Sequence, residues 1–182
     1  MSRPIPSIMR RIAALATFVT LAGCTSAPTA PLPTVESVDL GRYVGSWYEI
    51  SALPNRFQAQ CVADTQARYQ QMGDDIEVVN RCRKADGSVD SATGIAKVVA
   101  GSGNAKLRVS FFRPFYGDYW VLALAPDYRW VLVGEPTRRF GWVLSRTPQL
   151  NAADLDTALT RAEALGYTRS AFKITPQVQS LK

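Results

Sequence analysis

From Gly45 to Leu144 the chain is built of short runs rich in β-branched and aromatic residues, cut by Gly, Pro, Asn and Asp clusters. The runs cover roughly 46–53, 61–72, 76–83, 89–99, 105–112, 118–125, 129–134 and 140–146. Regular spacing of that kind predicts an antiparallel sandwich or barrel. Eight strands is about the number at which a closed barrel can hold one small ligand. Three turns are explicit: Met72-Gly73-Asp74-Asp75, Ala85-Asp86-Gly87-Ser88 and Gly101-Ser102-Gly103-Asn104, each able to take positive φ cheaply. The periodicity then changes. Leu155, Ala158, Leu159, Ala162 and Leu165 form one apolar stripe, which predicts a helix over 152–165 packed on the barrel wall. Asn151 is its N-cap and Gly166 its C′ residue. A last run, 170–174, adds an edge strand.

Alternation assigns faces within strands. In the fifth run Leu107, Val109 and Phe111 share one parity against Lys106, Arg108 and Ser110, so the apolar set points inward. By the same rule Ala63, Thr65, Ala67 and Tyr69 oppose Asp64, Gln66 and Arg68, and Phe140, Trp142 and Leu144 share a face. Trp120, Leu122 and Leu124 are assigned to the interior of the sixth run, where both parities are apolar. Small residues on the second strand facing bulky ones elsewhere predict an apolar cavity. The same side chains filling a solid core is the alternative. Glu49 shares the parity of Trp47, which allows an inward carboxylate or one in a solvated upper barrel.

The 182 residues carry a net charge of +6, are 10% aromatic and contain no histidine, which fits a single folded domain and argues against a disordered chain. Without histidine there is no Ser-His-Asp or Cys-His pair, no imidazole base and no imidazole zinc site. Arg3, Arg10 and Arg11 precede an apolar run from Ile12 to Leu21. That run is too short to span a bilayer, which takes about 20 residues, and reads as a secretory leader. Its end, Leu21-Ala22-Gly23-Cys24, resembles the bacterial lipobox, which implies cleavage after Gly23 and acylation of Cys24. Thr25 after the cysteine, by resemblance to enterobacterial lipoproteins, implies sorting to the outer membrane. Residues 24–37 then form the lipidated end and a Pro-rich tether, 38–176 the folded domain and 177–182 a tail. The leader holds three of the 21 basic residues and none of the 15 acidic ones, so the remainder carries only +3. That balance argues against nucleic-acid binding.

Two cysteines remain, Cys61 and Cys82. A hairpin turning near Gly73 brings them close to cross-strand register. In an exported chain the expectation is a disulfide worth about 3 kcal/mol rather than a catalytic thiol.

Gly45-Ser46-Trp47-Tyr48-Glu49-Ile50, with Leu53-Pro54-Asn55-Arg56-Phe57 after it, resembles the first lipocalin signature. Asp127-Tyr128 resembles the second, with Pro126 in place of the usual threonine, and Leu144-Ser145-Arg146-Thr147-Pro148 the third. Together with Val109 to Gly117, the match is to the bacterial outer-membrane lipocalins related to apolipoprotein D and spans roughly Val38 to Ile174. The resemblance implies an eight-stranded antiparallel up-and-down β-barrel with one C-terminal α-helix outside. It implies that Arg146 packs on Trp47 to close the barrel floor, a cation–π contact worth about 0.5–2 kcal/mol with a structural role. It also implies a non-enzymatic carrier of a fatty acid or lysophospholipid, serving the envelope under stress and needing no cofactor and no metal; dimers are known in the subgroup. The loop from Arg113 to Gly117 lies at the mouth in that topology. Arg113 and Tyr116 are the candidate head-group contacts, with Phe112 and Phe115 as an apolar lip. A tethered interaction module with a solid barrel, and an enzyme using Glu49 or the tyrosines, are the rival readings.

Overall fold

The computed structural model describes residues 31–181. The leader, Cys24 and the tether up to residue 30 lie outside the described residues. A single helical turn, α1 (Leu40–Tyr43), leads into β1 (Gly45–Ala52), β2 (Cys61–Met72), β3 (Asp75–Lys84), β4 (Val89–Val98), β5 (Lys106–Phe112), β6 (Phe115–Leu124), β7 (Trp130–Gly134) and β8 (Gly141–Ser145). These are followed by α2 (Ala152–Ala164) and a two-residue strand, β9 (Lys173–Ile174). Each strand pairs antiparallel with the next; β8 returns to β1, and β1 pairs with β2. The sheet is therefore a closed eight-stranded barrel, with β9 added on β1.

Two cores follow from the alternation of side chains. The interior gathers Trp47, Tyr69, Ile76, Val78, Leu107, Val121, Val131, Val133 and Leu144 from successive strands. The outer core lies between α2 and the wall, where Leu122, Trp130, Leu132 and Val143 meet Ala158, Ala162, Leu165, Tyr167 and Phe172. Burying such side chains contributes about 1.5–3 kcal/mol each.

The helix ends are set locally. Asn151 accepts from the Asp154 amide at the N-terminus. At the C-terminus Gly166, at φ 87°, lets its own amide reach Glu163 and that of Tyr167 reach Ala162, a Schellman closure. The Tyr167 hydroxyl then accepts from the Glu135 amide. It sits where a Cβ on Gly134 would be 2.0 Å away, so only glycine fits there.

β1 and β2 pair only over Gly45–Tyr48, and beyond that point the C-terminal segment occupies the seam. Thr175 donates its amide to Ile50, and Gln177 donates its side-chain amide to the carbonyls of Glu49 and Thr65. Val178 and Gln179 donate to the carboxylate of Asp64, which Arg83 also holds at 2.7 Å. Residues 177–179 are thus tied to both strands. Cys61 and Cys82 are joined in a disulfide across β2 and β3.

Candidate functional site

The barrel's two ends differ in chemistry. At the end where β1 begins, Trp47 is fully buried and donates its indole N–H to the Tyr43 carbonyl. The Arg146 guanidinium lies 3.8 Å from the Trp47 ring centroid and donates to the carbonyls of Ser46, Arg42 and Tyr43. Above them the hydroxyls of Tyr43, Tyr69 and Tyr119 form a chain. Burial raises the pKa of all three, that of Tyr69 to about 12, so they stay neutral hydrogen-bonding groups. This end is closed.

The opposite end carries the loops after β1, β3, β5 and β7. There the inner wall is only partly covered: Val109 and Trp142 are half-buried, and Phe111 is 44% exposed. Ala96 faces Val109 across the β4–β5 ladder, so Gly94 faces Phe111. A Cβ on Gly94 would lie 2.8 Å from the Phe111 ring, so glycine gives that ring its place on the inner wall. Phe140 stacks on Trp142 and touches Phe57 from the loop after β1, making an aromatic rim. Glu135 positions Phe140 by accepting from the amides of Thr137, Arg139 and Phe140. Burial alone would raise the pKa of Glu135, but these donors hold it below the ordinary range.

At the β1–β2 seam of this end is a cavity of about 300 Å³ with Glu49, Gln58, Thr65, Lys173 and Thr175 in its wall. Glu49 pairs with the inward Leu144, which puts its carboxylate inside. One oxygen accepts from Gln58 and the other from Thr175, at 2.6 and 2.5 Å. Gln58 in turn accepts from the Trp142 indole N–H. Burial raises the Glu49 pKa, against the lowering by the Thr175 and Gln58 donors.

The mouth loop extends beyond the wall. Phe112 and Phe115 stack, 75% and 70% exposed, and Arg113 is exposed between them.

Three expected positions are corrected. Trp120 and Leu122 face outward: Leu122 belongs to the outer core, Trp120 packs against that core, and Lys106 sits 4.0 Å from the Trp120 ring centroid. The inward residues of β6 are Tyr119, Val121 and, past an irregularity in the strand, Leu124, which packs on the inner core as expected. An irregularity between Val121 and Ala123 lets Leu122 and Ala123 both pack on the outer core. Tyr116 shares its parity with Asp118, which pairs with the exposed Arg108. Its ring lies under that guanidinium at 5.5 Å, on the outer wall and not on the barrel's inner face. Of the other residues assigned to the interior, Ala67, Tyr69, Leu107 and Val109 belong to or pack on the inner core, Ala63 and Thr65 are buried in β2, and Phe111, Phe140 and Trp142 line the open end. Phe57, Gln58, Tyr119 and Thr175 carried no sequence signal of a place in the site. Among the described residues no group of three or more His, Cys, Asp or Glu side chains is placed to hold a metal ion.

A family model described as a lipocalin-like domain matches residues 38–177. The chain is 36% identical over 162 residues to the outer membrane lipoprotein Blc of Escherichia coli strain K12, covering 88% of this chain and 91% of that protein. It is 37% identical over 155 residues to temperature-induced lipocalin-1 of Arabidopsis thaliana, covering 80% and 83%. Mouse apolipoprotein D is 37% identical over 130 residues, covering 65% and 66%. Among solved structures, insecticyanin from the tobacco hornworm Manduca sexta superposes with a TM-score of 0.66 at 21% identity, covering 80% and 84%.

Proposed function

The chain belongs to the lipocalin family, and from that premise we propose that it is a lipid-anchored carrier of a fatty acid or lysophospholipid in the bacterial outer membrane, serving envelope maintenance under stress. The observation that carries this reading is the open upper barrel, where Phe111 faces inward at 44% exposure above a closed floor. Leaving such surface in water forgoes about 25 cal/mol per Å², and an acyl chain lying against Val109, Phe111, Phe140 and Trp142 recovers it. Arg113, exposed at the mouth, meets the phosphate or carboxylate, and Phe112 and Phe115 form the lip over which the chain enters. Acylated Cys24 holds the domain at its membrane, with each buried methylene of the anchor adding about 0.8 kcal/mol. The kinship with proteins named outer membrane lipoproteins supports that location.

The test is displacement of a fluorescent fatty acid from the full-length protein. Trp142→Ala removes an interior ring and should weaken binding about tenfold or more, whereas Trp120→Ala, on the outer wall, should leave affinity unchanged. Equal effects of the two substitutions, or no binding of the probe, would overturn the reading.

A further inference from the structure

We propose that residues 176–179 are a releasable clasp across the gap between β1 and β2, and that its opening sets the rate at which an acyl chain enters and leaves the barrel. The proposal rests on the lipid-carrier reading and adds the step that limits exchange.

β1 and β2 share a ladder only over Gly45–Tyr48, whereas β2 is paired with β3 from Cys61 to Met72. Beyond Tyr48 the returning chain stands in for the missing ladder, and its two holds differ. On β1 the hold is regular: β9 pairs with Ser51 and Ala52, and the Thr175 amide donates to Ile50. On β2 a single backbone bond, from the Asp64 amide to the Pro176 carbonyl, is joined by bonds that need side chains. The Gln177 side-chain amide spans the carbonyls of Glu49 on β1 and Thr65 on β2, at 2.9 Å each. The amides of Val178 and Gln179 donate to one oxygen of Asp64. No apolar burial supports this second hold. Pro176 and Gln179 are exposed, Val178 is 72% exposed, and the chain from Lys173 to Pro176 borders the seam cavity rather than a packed wall. A segment held by polar bonds alone opens at lower free energy than core strands do. Residues 176–179 can therefore leave β2 while β9 remains on β1 as the hinge.

The fixed half of the clasp is built to stay in place. Asp64 lies at φ 56°, a left-handed conformation in which a non-glycine residue persists only where its surroundings impose it. It stands between two irregularities of the β2–β3 register, a device that re-aims a side chain. Arg83 donates to its other oxygen at 2.7 Å, and the Cys61–Cys82 disulfide ties β2 to β3 beside it. The carboxylate is thus held ready for the chain end whether the clasp is open or shut. Opening matters because about 300 Å³ at the seam is at the low end for a ligand pocket, and an acyl chain needs room at the mouth. Once Gln177 lets go, Glu49 and Thr65 can part and the mouth widens with every strand ladder intact.

Stopped-flow mixing of the full-length protein with a fluorescent fatty acid gives the rates of uptake and release, and hydrogen exchange on the same protein follows the amides of Val178 and Gln179. Gln177→Ala removes both bridging bonds and leaves the Asp64–Arg83 pair and the inner wall untouched. Losing one or two neutral hydrogen bonds corresponds to about tenfold in an opening equilibrium. Uptake and release should therefore each become about tenfold faster at unchanged Kd, with faster exchange confined to the C-terminal segment. Asp64→Asn, in which asparagine tolerates the left-handed φ, should act in the same direction. Three results overturn the clasp alone: rates that stay at the wild-type value while the segment exchanges faster, an affinity that falls together with overall stability, or wild-type amides at 178 and 179 as protected as those of β3. A wild type that binds no probe overturns the carrier reading together with it.

Discussion

Arg146 binds no ligand in this scheme, and its removal tests whether the barrel floor is a stability device. The guanidinium stacks 3.8 Å from the Trp47 centroid and ties together the carbonyls of Ser46, Arg42 and Tyr43. The stacking contributes about 1 kcal/mol at a half-buried site. Each charge-assisted hydrogen bond contributes roughly 0.5–1 kcal/mol after discounting for partial exposure. Arg146→Ala should therefore cost about 3 kcal/mol. Arg146→Lys keeps a charge over the ring, but one ammonium cannot span three carbonyls in a planar fork, so about half of that loss should remain. For a domain of this size 1 kcal/mol corresponds to about 2–4 °C, which puts the alanine variant roughly 6–12 °C below wild type. Calorimetry and urea unfolding followed by tryptophan fluorescence measure this, and lipid displacement on the same samples checks that affinity is unchanged. A loss under about 1 kcal/mol, lysine serving as well as arginine, or affinity falling while stability holds would refute the reasoning.

The Cys61–Cys82 bridge spans 21 residues of sequence, so the double variant Cys61→Ala/Cys82→Ala should lose about 3 kcal/mol in urea unfolding under oxidising conditions. The acid limb of stability has a named contributor. Asp154, held by Arg129 and Asn151 at a pKa of about 2 against an ordinary 3.8, stabilises the fold above pH 4, and that contribution disappears as pH falls from about 4 to 2; Asp154→Asn should flatten this limb. Glu49 has the opposite sign. Its raised pKa means that the folded chain holds a proton the unfolded chain has released, so its burden sets in as pH rises above about 4.5, and Glu49→Gln should be the more stable protein at neutral pH.

Where one side of a strand was polar, the sequence specified the face. Lys106, Arg108 and Ser110 against Leu107, Val109 and Phe111 leave no ambiguity, and the inner wall of β5 follows from them. On β6 both faces are apolar because one lines the barrel and the other lies under α2, so alternation gave no means of choosing. Of Trp120, Leu122 and Leu124, only Leu124 packs on the inner core, and Tyr119 and Val121 hold the inner places expected of the other two. The helix was legible because stripe, cap and terminal glycine agreed at three independent points. The polar part of the site was not. Gln58 and Thr175 lie 117 residues apart on irregular segments, and no period relates them. They meet only because β1 leaves β2 after Tyr48 and the returning chain occupies the seam.

That seam explains how one small barrel can be both firm and receptive. The full cation–π and carbonyl grip of Arg146, the tyrosine chain and the buried Trp47 lie at the floor, where nothing has to move. At the mouth the corresponding holds are neutral: an amide of Gln58, a hydroxyl of Thr175 and glycine beneath Phe111. Bonds from these uncharged donors to the Glu49 carboxylate contribute net about 1.5–3 kcal/mol each, which an entering lipid offsets by supplying a bond of its own. Half-exposed rings around them lose their water only when a ligand arrives. Stability and binding are therefore divided along the barrel axis. A substitution's height above the floor, more than its hydrophobicity, decides which of the two it disturbs.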